Sequence, residues 1–426
     1  MKVSLKYGSG IMEFEVPDRN LIEILEPKEV AGVKDEEAEI QRAIRNPIDS
    51  EKLSSIVRKG DKVTVIASDI TRTCPNRRLT VPILRELRRT GVERNDITVI
   101  FGLGIHRTHT RSEWESLLGR DIIEKYRVLD SDVKFEEDFM EIGKQPLGLK
   151  SRLTPVKFHR EAVNSDLTLC VGEVAFHQMA GYSGGYKSIL PGVASKETVE
   201  VHHSLLTHPK SITGLLEGNP FRGQIEKASR LLENVKIINA VQNSKRELVK
   251  VAFGDPVSAH RYLVRFCDLT YKVPARQKAD IVIASPGGYP KDINLYQSQK
   301  AVERARFIVR DGGVIILVAE CGEGFGEETF KDWMFNAEEP EDIFVRLESE
   351  GFKIGGHKAV LFGRAMKKAS IMLVSQIPPA EVKRALMTPK RSIEEALEEA
   401  FEIVGRNAEV TVLTTAHIFP GFPEDD

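Results

Sequence analysis

Cysteine is scarce in this chain, and its four copies, Cys74, Cys170, Cys267 and Cys321, are far apart with no CxxC pair among them. That argues against a disulfide framework and against a cysteine-based zinc site. No stretch approaches ~20 consecutive apolar residues, so no transmembrane helix is expected. The opening MKVSLKYGSGIMEFEV lacks the apolar run of a signal peptide. Neither sign of charge dominates: 61 Lys and Arg against 63 Asp and Glu leave a net charge of -2. This removes the strongly basic nucleic-acid binder and the acidic disordered tail, and neither a nucleic-acid nor a membrane partner is expected. Gly 32 and Pro 20 are unremarkable counts, so collagen-like and low-complexity classes fall away. What remains is a cytoplasmic globular protein. Its 426 residues, 41% of them hydrophobic, are enough for two or three domains with real cores at roughly 150 residues each.

The recurring unit is a short Val/Ile-rich run, an amphipathic stretch, and another run. KVTVIAS (62–68) reads as a buried strand; LTVPILRELRRTG (79–91) follows with Ile83, Leu84 and Leu87 at helical spacing and Gly91 as a stop signal. DITVIFGLG (96–104), DLTLCVGEV (166–174), NVKIINAV (234–241), ADIVIAS (279–285), GGVIILVAE (312–320), SIMLVSQ (370–376) and AEVTVLTT (408–415) read as further strands. Near-continuous apolar runs suit strands covered by helices on both faces, hence an α/β protein with mostly parallel sheets. VSLKYGSGIMEFEVPD at the start reads instead as two strands around a Gly-Ser-Gly turn, and 147–160 shows no period. The charged, proline-containing VPARQKAD near Pro274 is the expected linker. It divides the chain into an N-terminal catalytic domain, 1–272, and a C-terminal α/β domain, 273–426.

In open α/β sheets ligands gather at the carboxyl ends of strands, and the residues there are suggestive. SDITRTCPNR follows the first strand: Arg72 offers a planar fork for a carboxylate or phosphate, and Asp69 could orient it, bind a ribose hydroxyl, or simply cap the next helix. GLGIHRTHT presents His106 and His109 from a glycine-rich loop, suited to acid/base work or to a metal, while Thr110 and Glu113 read as a capping box. The densest block, 172–204, holds His177, Gly181, Gly184, Gly185, Lys187, His202 and His203. Glycines around one lysine suggest a ligand against the backbone, and Lys187 could hold phosphate, form a Schiff base or take another covalent link. SKETVEVHH has helix-like polarity, so His202 and His203 face different ways and at most one lines a site. In the second domain Asp292 or Asn294 can cap a helix whose Gln297 and Lys300, three apart, share a face. The other histidines, His159, His208, His260, His357 and His417, stand alone and read as structural or solvated.

The ordered set DITR, GIHR, FHQMAGYSGGYKSILPG, HHS and NLYQSQK resembles the nickel-dependent lactate racemase family over nearly the whole chain, GGYKSILPG being its most specific part. The resemblance implies two α/β domains with an active-site cleft between them, and a racemase or epimerase that inverts C2 of a 2-hydroxy acid. It implies a nickel-pincer nucleotide, the nickel complex of pyridinium-3,5-bisthiocarboxylic acid mononucleotide, made by separate biosynthetic proteins. Lys187 matches its covalent tether, His203 the protein ligand to Ni, with His202 beside it as the competing candidate, and Asp69, Thr71, Gly184 and Gly185 match cofactor contacts. His106 and His177 match the two acid/base histidines, one for each enantiomer, working while the C2 hydrogen leaves and returns as hydride. Arg72, Tyr296, Gln297 and Lys300 match the substrate pocket. The residues after Arg72 and the lack of tryptophan in 357–362 extend the expected substrates from lactate to larger hydroxy acids, sugar acids among them. Rival readings are a pyridoxal-phosphate enzyme using Lys187, a zinc enzyme using His106, His109 and His202 or His203, and a non-catalytic hydroxy-acid-binding protein of the same fold.

Overall fold

The computed structural model describes residues 1–422. The chain forms two compact units: Glu29–Thr270, and Met1–Lys28 together with the described residues from Tyr271 on. The linker reading put 1–272 in a single domain. The structure instead groups the first 28 residues with the C-terminal unit. The cause is strand pairing: Leu21–Leu25 lies parallel to Val410–Leu413 and covers what would otherwise be a bare sheet edge.

The unit Glu29–Thr270 is built on a six-stranded sheet. Across it the strands run Leu248–Gly254, Val235–Gln242, Leu167–Glu173, Val63–Ser68, Ile97–Gly102 and Arg127–Asp130. All neighbours pair in parallel except Leu248–Gly254, which lies antiparallel on Val235–Gln242. The central strands are buried along nearly their whole length, which is why their sequences are continuous Val/Ile runs rather than alternations. The helix Asn76–Arg89 lays Leu79, Ile83, Leu84 and Leu87 on this sheet and stops where Gly91 takes φ +97°, a conformation that costs a residue with a Cβ. Truncating one such fully buried leucine costs about 2–5 kcal/mol.

Winding starts at the central strand Val63–Ser68, proceeds outward on one side, then returns through Leu167–Glu173 and proceeds outward on the other. The strand ends between these two are therefore a topological switch point, where the connecting loops diverge and leave room for a ligand. The segment without a readable period forms half of an antiparallel hairpin, Phe139–Leu147 with Arg152–His159. One face of Arg152–His159, Thr154, Val156 and Phe158, is buried, but the other carries Leu153 and Pro155 as well as Lys157, so no clean hydrophobic alternation marks it.

In the other unit the sheet runs Thr388–Lys390, Ala369–Val374, Val309–Val318, Ala279–Ala284, Val410–Leu413 and Leu21–Leu25, parallel throughout. The expected N-terminal hairpin, Lys2–Tyr7 with Gly10–Glu15, packs Val3, Leu5 and Phe14 into this core beside Ile281, Ile283 and Val410. Among the described residues no helix is long and apolar enough to cross a membrane.

Candidate active site

Three strand-end loops of the Glu29–Thr270 unit meet around the switch point. Directly after Val63–Ser68, the Asp69 side chain is 3% exposed. Its Oδ1 accepts from the Thr71 amide (2.9 Å) and hydroxyl (2.5 Å), and its Oδ2 lies 2.6 Å from His106 Nδ1. Burial alone would raise this carboxyl, but the His106 hydrogen bond, the Arg72 charge and the Thr71 hydroxyl hold it down at about 2. A carboxylate only accepts, so His106 Nδ1 carries the proton and Nε2 carries the lone pair. The sequence reading gave Asp69 and Thr71 to a cofactor; here Thr71 closes on Asp69, and Asp69 orients His106. Arg72 is exposed at the end of the same turn, and its charge is felt by Asp69, His177 and Lys187 alike.

The pair His106 and His109 parts company. The His109 side chain is 1% exposed. Its Nδ1 lies 2.7 Å from Asp130 Oδ1, and its Nε2 accepts from the Ile70 amide at 3.1 Å. Both ring nitrogens are engaged by protein, so the two histidines do not make a metal pair. The capping box read at Thr110 and Glu113 opens the helix Arg111–Leu118.

After Leu167–Glu173 the chain doubles back through the glycine block. His177 Nδ1 accepts from the amides of Met179 (3.3 Å) and Ala180 (3.1 Å), so in the neutral ring the proton sits on Nε2. Burial, then the charges of Lys187, Arg72 and Arg222, push its pKa well below the usual histidine value. The same forces act on Lys187: burial first, then Arg72 and Arg222, hold it well below the usual lysine value, with only Asp69 opposing. That shift favours the neutral, nucleophilic amine relative to an ordinary lysine.

Gly184 and Gly185 owe their identity to the protein around them. They adopt φ +77° and +61°. A Cβ on Gly184 would stand 2.8 Å from Asn239 Oδ1, and one on Gly185 3.1 Å from the Pro256 carbonyl. The expected ligand against these backbones is thus met, on the Cβ side, by packed side chains. Asn239 accepts from the Gly185 amide at 2.8 Å, and His260 donates from Nε2 to the Ser183 carbonyl at 2.8 Å. Arg222, 1% exposed, donates to the carbonyls of Ala180, Tyr182 and Gly184, and burial lowers its pKa to about 10. A buried guanidinium clamps the loop from inside and adds positive potential beside Lys187. Nothing in NPFRGQ marks that arginine as buried, and the sequence reading passed over both it and Asn239.

The helix Lys196–His203 separates its last two residues as its polarity suggested. His202, fully buried, donates from Nε2 to the Phe221 carbonyl at 3.0 Å, and burial takes its pKa down to about 3. His203 donates from Nδ1 to the Val199 carbonyl at 2.8 Å, which leaves the lone pair on Nε2, the arrangement of a metal-ligating histidine. Among the described residues no group of three or more His, Cys, Asp or Glu side chains is placed to hold a metal ion.

Glu173, which the sequence reading also passed over, ends the switch-point strand. It accepts from Thr73 Oγ1 (2.5 Å) and Gln242 Nε2 (3.0 Å), and burial outweighs these bonds to raise its carboxyl. Tyr296, Gln297 and Lys300 belong to the other unit, on the helix Leu295–Ile308, which Asn294 caps as one of the two residues expected to. The Tyr296 ring has the buried Lys358 ammonium 5.4 Å from its centroid and stands edge-on to Phe330 and His357.

The switch-point loops thus gather two histidines protonated on different ring nitrogens and a lysine of depressed pKa. Residues 7–214 match the family model "Lactate racemase N-terminal domain" and residues 274–416 the model "Lactate racemase C-terminal domain". The lactate racemase of Thermoanaerobacterium thermosaccharolyticum is 32% identical over 421 residues, 96% of this chain and 97% of that one. The lactate racemase of Lactiplantibacillus plantarum is 30% identical over 89% of each chain. The solved structure of the T. thermosaccharolyticum lactate racemase apoprotein superposes with a TM-score of 0.89, covering 98% of this chain and 99% of that one. A Thermotoga maritima protein, 18% identical with a TM-score of 0.66, shares the fold. The chain belongs to the lactate racemase family, and it is an isomerase of the racemase class.

Proposed function

We propose that this protein racemises a 2-hydroxy acid at C2, with lactate and larger, more polar hydroxy acids, including sugar acids, as the substrates to try, and that it does so with a nickel-pincer nucleotide. The observation that carries this reading is the contrast between His106 and His177, one ring presenting a lone pair at Nε2 and the other an N–H.

The residues fit the cofactor on their own chemistry. Lys187 is a depressed-pKa amine able to take a covalent link. His203 has its Nδ1 proton committed to Val199 and would offer Nε2 to nickel. No full set of protein donors surrounds it among the described residues, which suits an ion that takes its remaining ligands from an organic group. Arg222 and Arg72 supply positive potential for an anionic nucleotide. When bound, the cofactor supplies an acceptor and donor of hydride.

The chain's own residues do the rest. Arg72, exposed at the end of its turn, is assigned to the substrate carboxylate. His106 takes the hydroxyl proton at Nε2 while Asp69 stabilises the imidazolium that forms. His177 serves the other enantiomer from the opposite side. The zinc reading loses support because His109 is occupied by Asp130 and Ile70.

The test is co-expression with the cofactor-making proteins, followed by intact mass, nickel content and a polarimetric screen of 2-hydroxy acids. A mass gain mapped to Lys187, about one nickel per chain and inversion of an acid support the reading. Nickel-free, unmodified protein, from a pathway that loads a known racemase, refutes it.

A further inference from the structure

His109 is the motif residue that the proposed chemistry leaves unused. Its geometry is that of a second carboxylate–imidazole pair set behind the first. Asp130 Oδ1 accepts from His109 Nδ1 (2.7 Å) and from Trp114 Nε1 (3.0 Å), while Oδ2 accepts from the His109 amide (2.7 Å). Three donors on one carboxylate fix the ring and its tautomer, so Nε2 presents a lone pair, and that lone pair accepts from the Ile70 amide. Phe101, with its ring centroid 4.7 Å away, packs against the imidazole.

Ile70 directly follows Asp69. Its side chain is 37% exposed, so packing does little to hold the peptide between them. The turn 69–72 carries the carboxylate that orients His106 and the guanidinium assigned to substrate. Within the turn the Arg72 amide donates to the Asp69 carbonyl at 3.1 Å; the Ile70 amide bond to His109 then ties the same peptide plane to the neighbouring strand-end loop. We propose that His109, locked by Asp130, is a positioning residue: it sets the 69–72 turn and, through Asp69, the orientation of His106. This rests on His106 acting as an acid/base group, the reading above. It explains why the loop carries HxxH, one histidine facing the reaction and its companion facing inward to hold the opposite loop.

The test uses the apoprotein labelled with 15N-histidine and, separately, the cofactor-loaded enzyme. The His106 Nδ1–H resonance is assigned by its loss in His106→Gln. His109→Leu fills the space but accepts nothing from Ile70; His109→Gln can accept from Ile70 and donate to Asp130. The expected result is a distinct downfield His106 Nδ1–H signal in wild type and His109→Gln, lost or averaged between tautomers in His109→Leu. In the loaded enzyme kcat/KM falls about 10- to 100-fold in His109→Leu and is largely restored in His109→Gln. A folded His109→Leu with an unchanged His106 signal overturns the inference. If that variant does not fold, Asp130→Asn, which turns an acceptor toward Trp114 and His109 into a partial donor, is judged by the same signal. A wild-type enzyme that is loaded yet turns over no 2-hydroxy acid defeats the functional reading, while the spectra still decide the positioning claim.

Discussion

His106 and His177 hold their ring protons on opposite nitrogens: Asp69 draws the proton of His106 to Nδ1, and two backbone amides at Nδ1 of His177 send its proton to Nε2. In the proposed scheme each enantiomer gives its hydroxyl proton to a different histidine while its C2 hydrogen leaves as hydride, so one acid/base group is required for each. His106→Gln and His177→Gln should each abolish racemisation. Each should still convert one enantiomer, a different one in each variant, to its 2-keto acid in a single turnover. Rapid-quench assays with each pure enantiomer read this; racemisation by either variant ends the two-base scheme.

Asp69→Asn should leave the fold intact and lower kcat by roughly 100-fold or more, since an amide at Nδ1 lets His106 settle in the wrong tautomer. The apoprotein gives an independent reading. The folded pKa of Asp69, about 2, lies below its ordinary 3.8. Its contribution to stability is therefore fully present above pH ~4 and lost as pH falls toward ~2. Thermal melts of wild type and Asp69→Asn should differ by a constant amount at neutral pH and converge across that acid window.

Lys187 is a stability liability in the apoprotein. Its folded pKa lies well below 10.5, so the unfolded chain binds the extra proton and stability rises with pH across the interval between the two values. Lys187→Met should raise apoprotein stability at pH values below the ordinary lysine range, with the gap narrowing as pH rises toward 10.5. The same variant should lose any covalent cofactor adduct. A destabilised Lys187→Met, measured by denaturant titration, would show that the amine is well solvated.

The adjacent histidines should separate cleanly. His203→Ala is expected to load little or no nickel while melting near wild type. His202→Ala is expected to keep nickel but lose about 2 kcal/mol or more, because it empties a buried site and strands the Phe221 carbonyl. Metal analysis beside calorimetry checks both; nickel loss confined to His202→Ala would reverse the assignment.

The central strands, the helix ending at Gly91 and the N-terminal hairpin are legible in the chain because each carries a local signal: a continuous Val/Ile run, a 3–4 spacing, a glycine turn. The edge strands Arg127–Asp130 and Thr388–Lys390 and the hairpin within 139–159 are not, the first two being short and the hairpin mixing apolar and polar residues on both faces. The residues proposed for the site could be picked out where they follow a readable strand, as Asp69, Arg72, His106, His177 and Lys187 do.

Their partners were not. That Asp69 belongs to His106, and His109 to Asp130 and Ile70, depends on Ile97–Gly102 lying between Val63–Ser68 and Arg127–Asp130 in the sheet. That Gly184 must be glycine depends on Asn239, 55 residues later, filling the space beside it. Residue types and their positions relative to strand ends are local, so the sequence by itself determined which chemistry is on offer. Tautomers, depressed pKa values and the different partners of His106 and His109 arise from contacts across the sheet and from burial. Only the tertiary structure decided those.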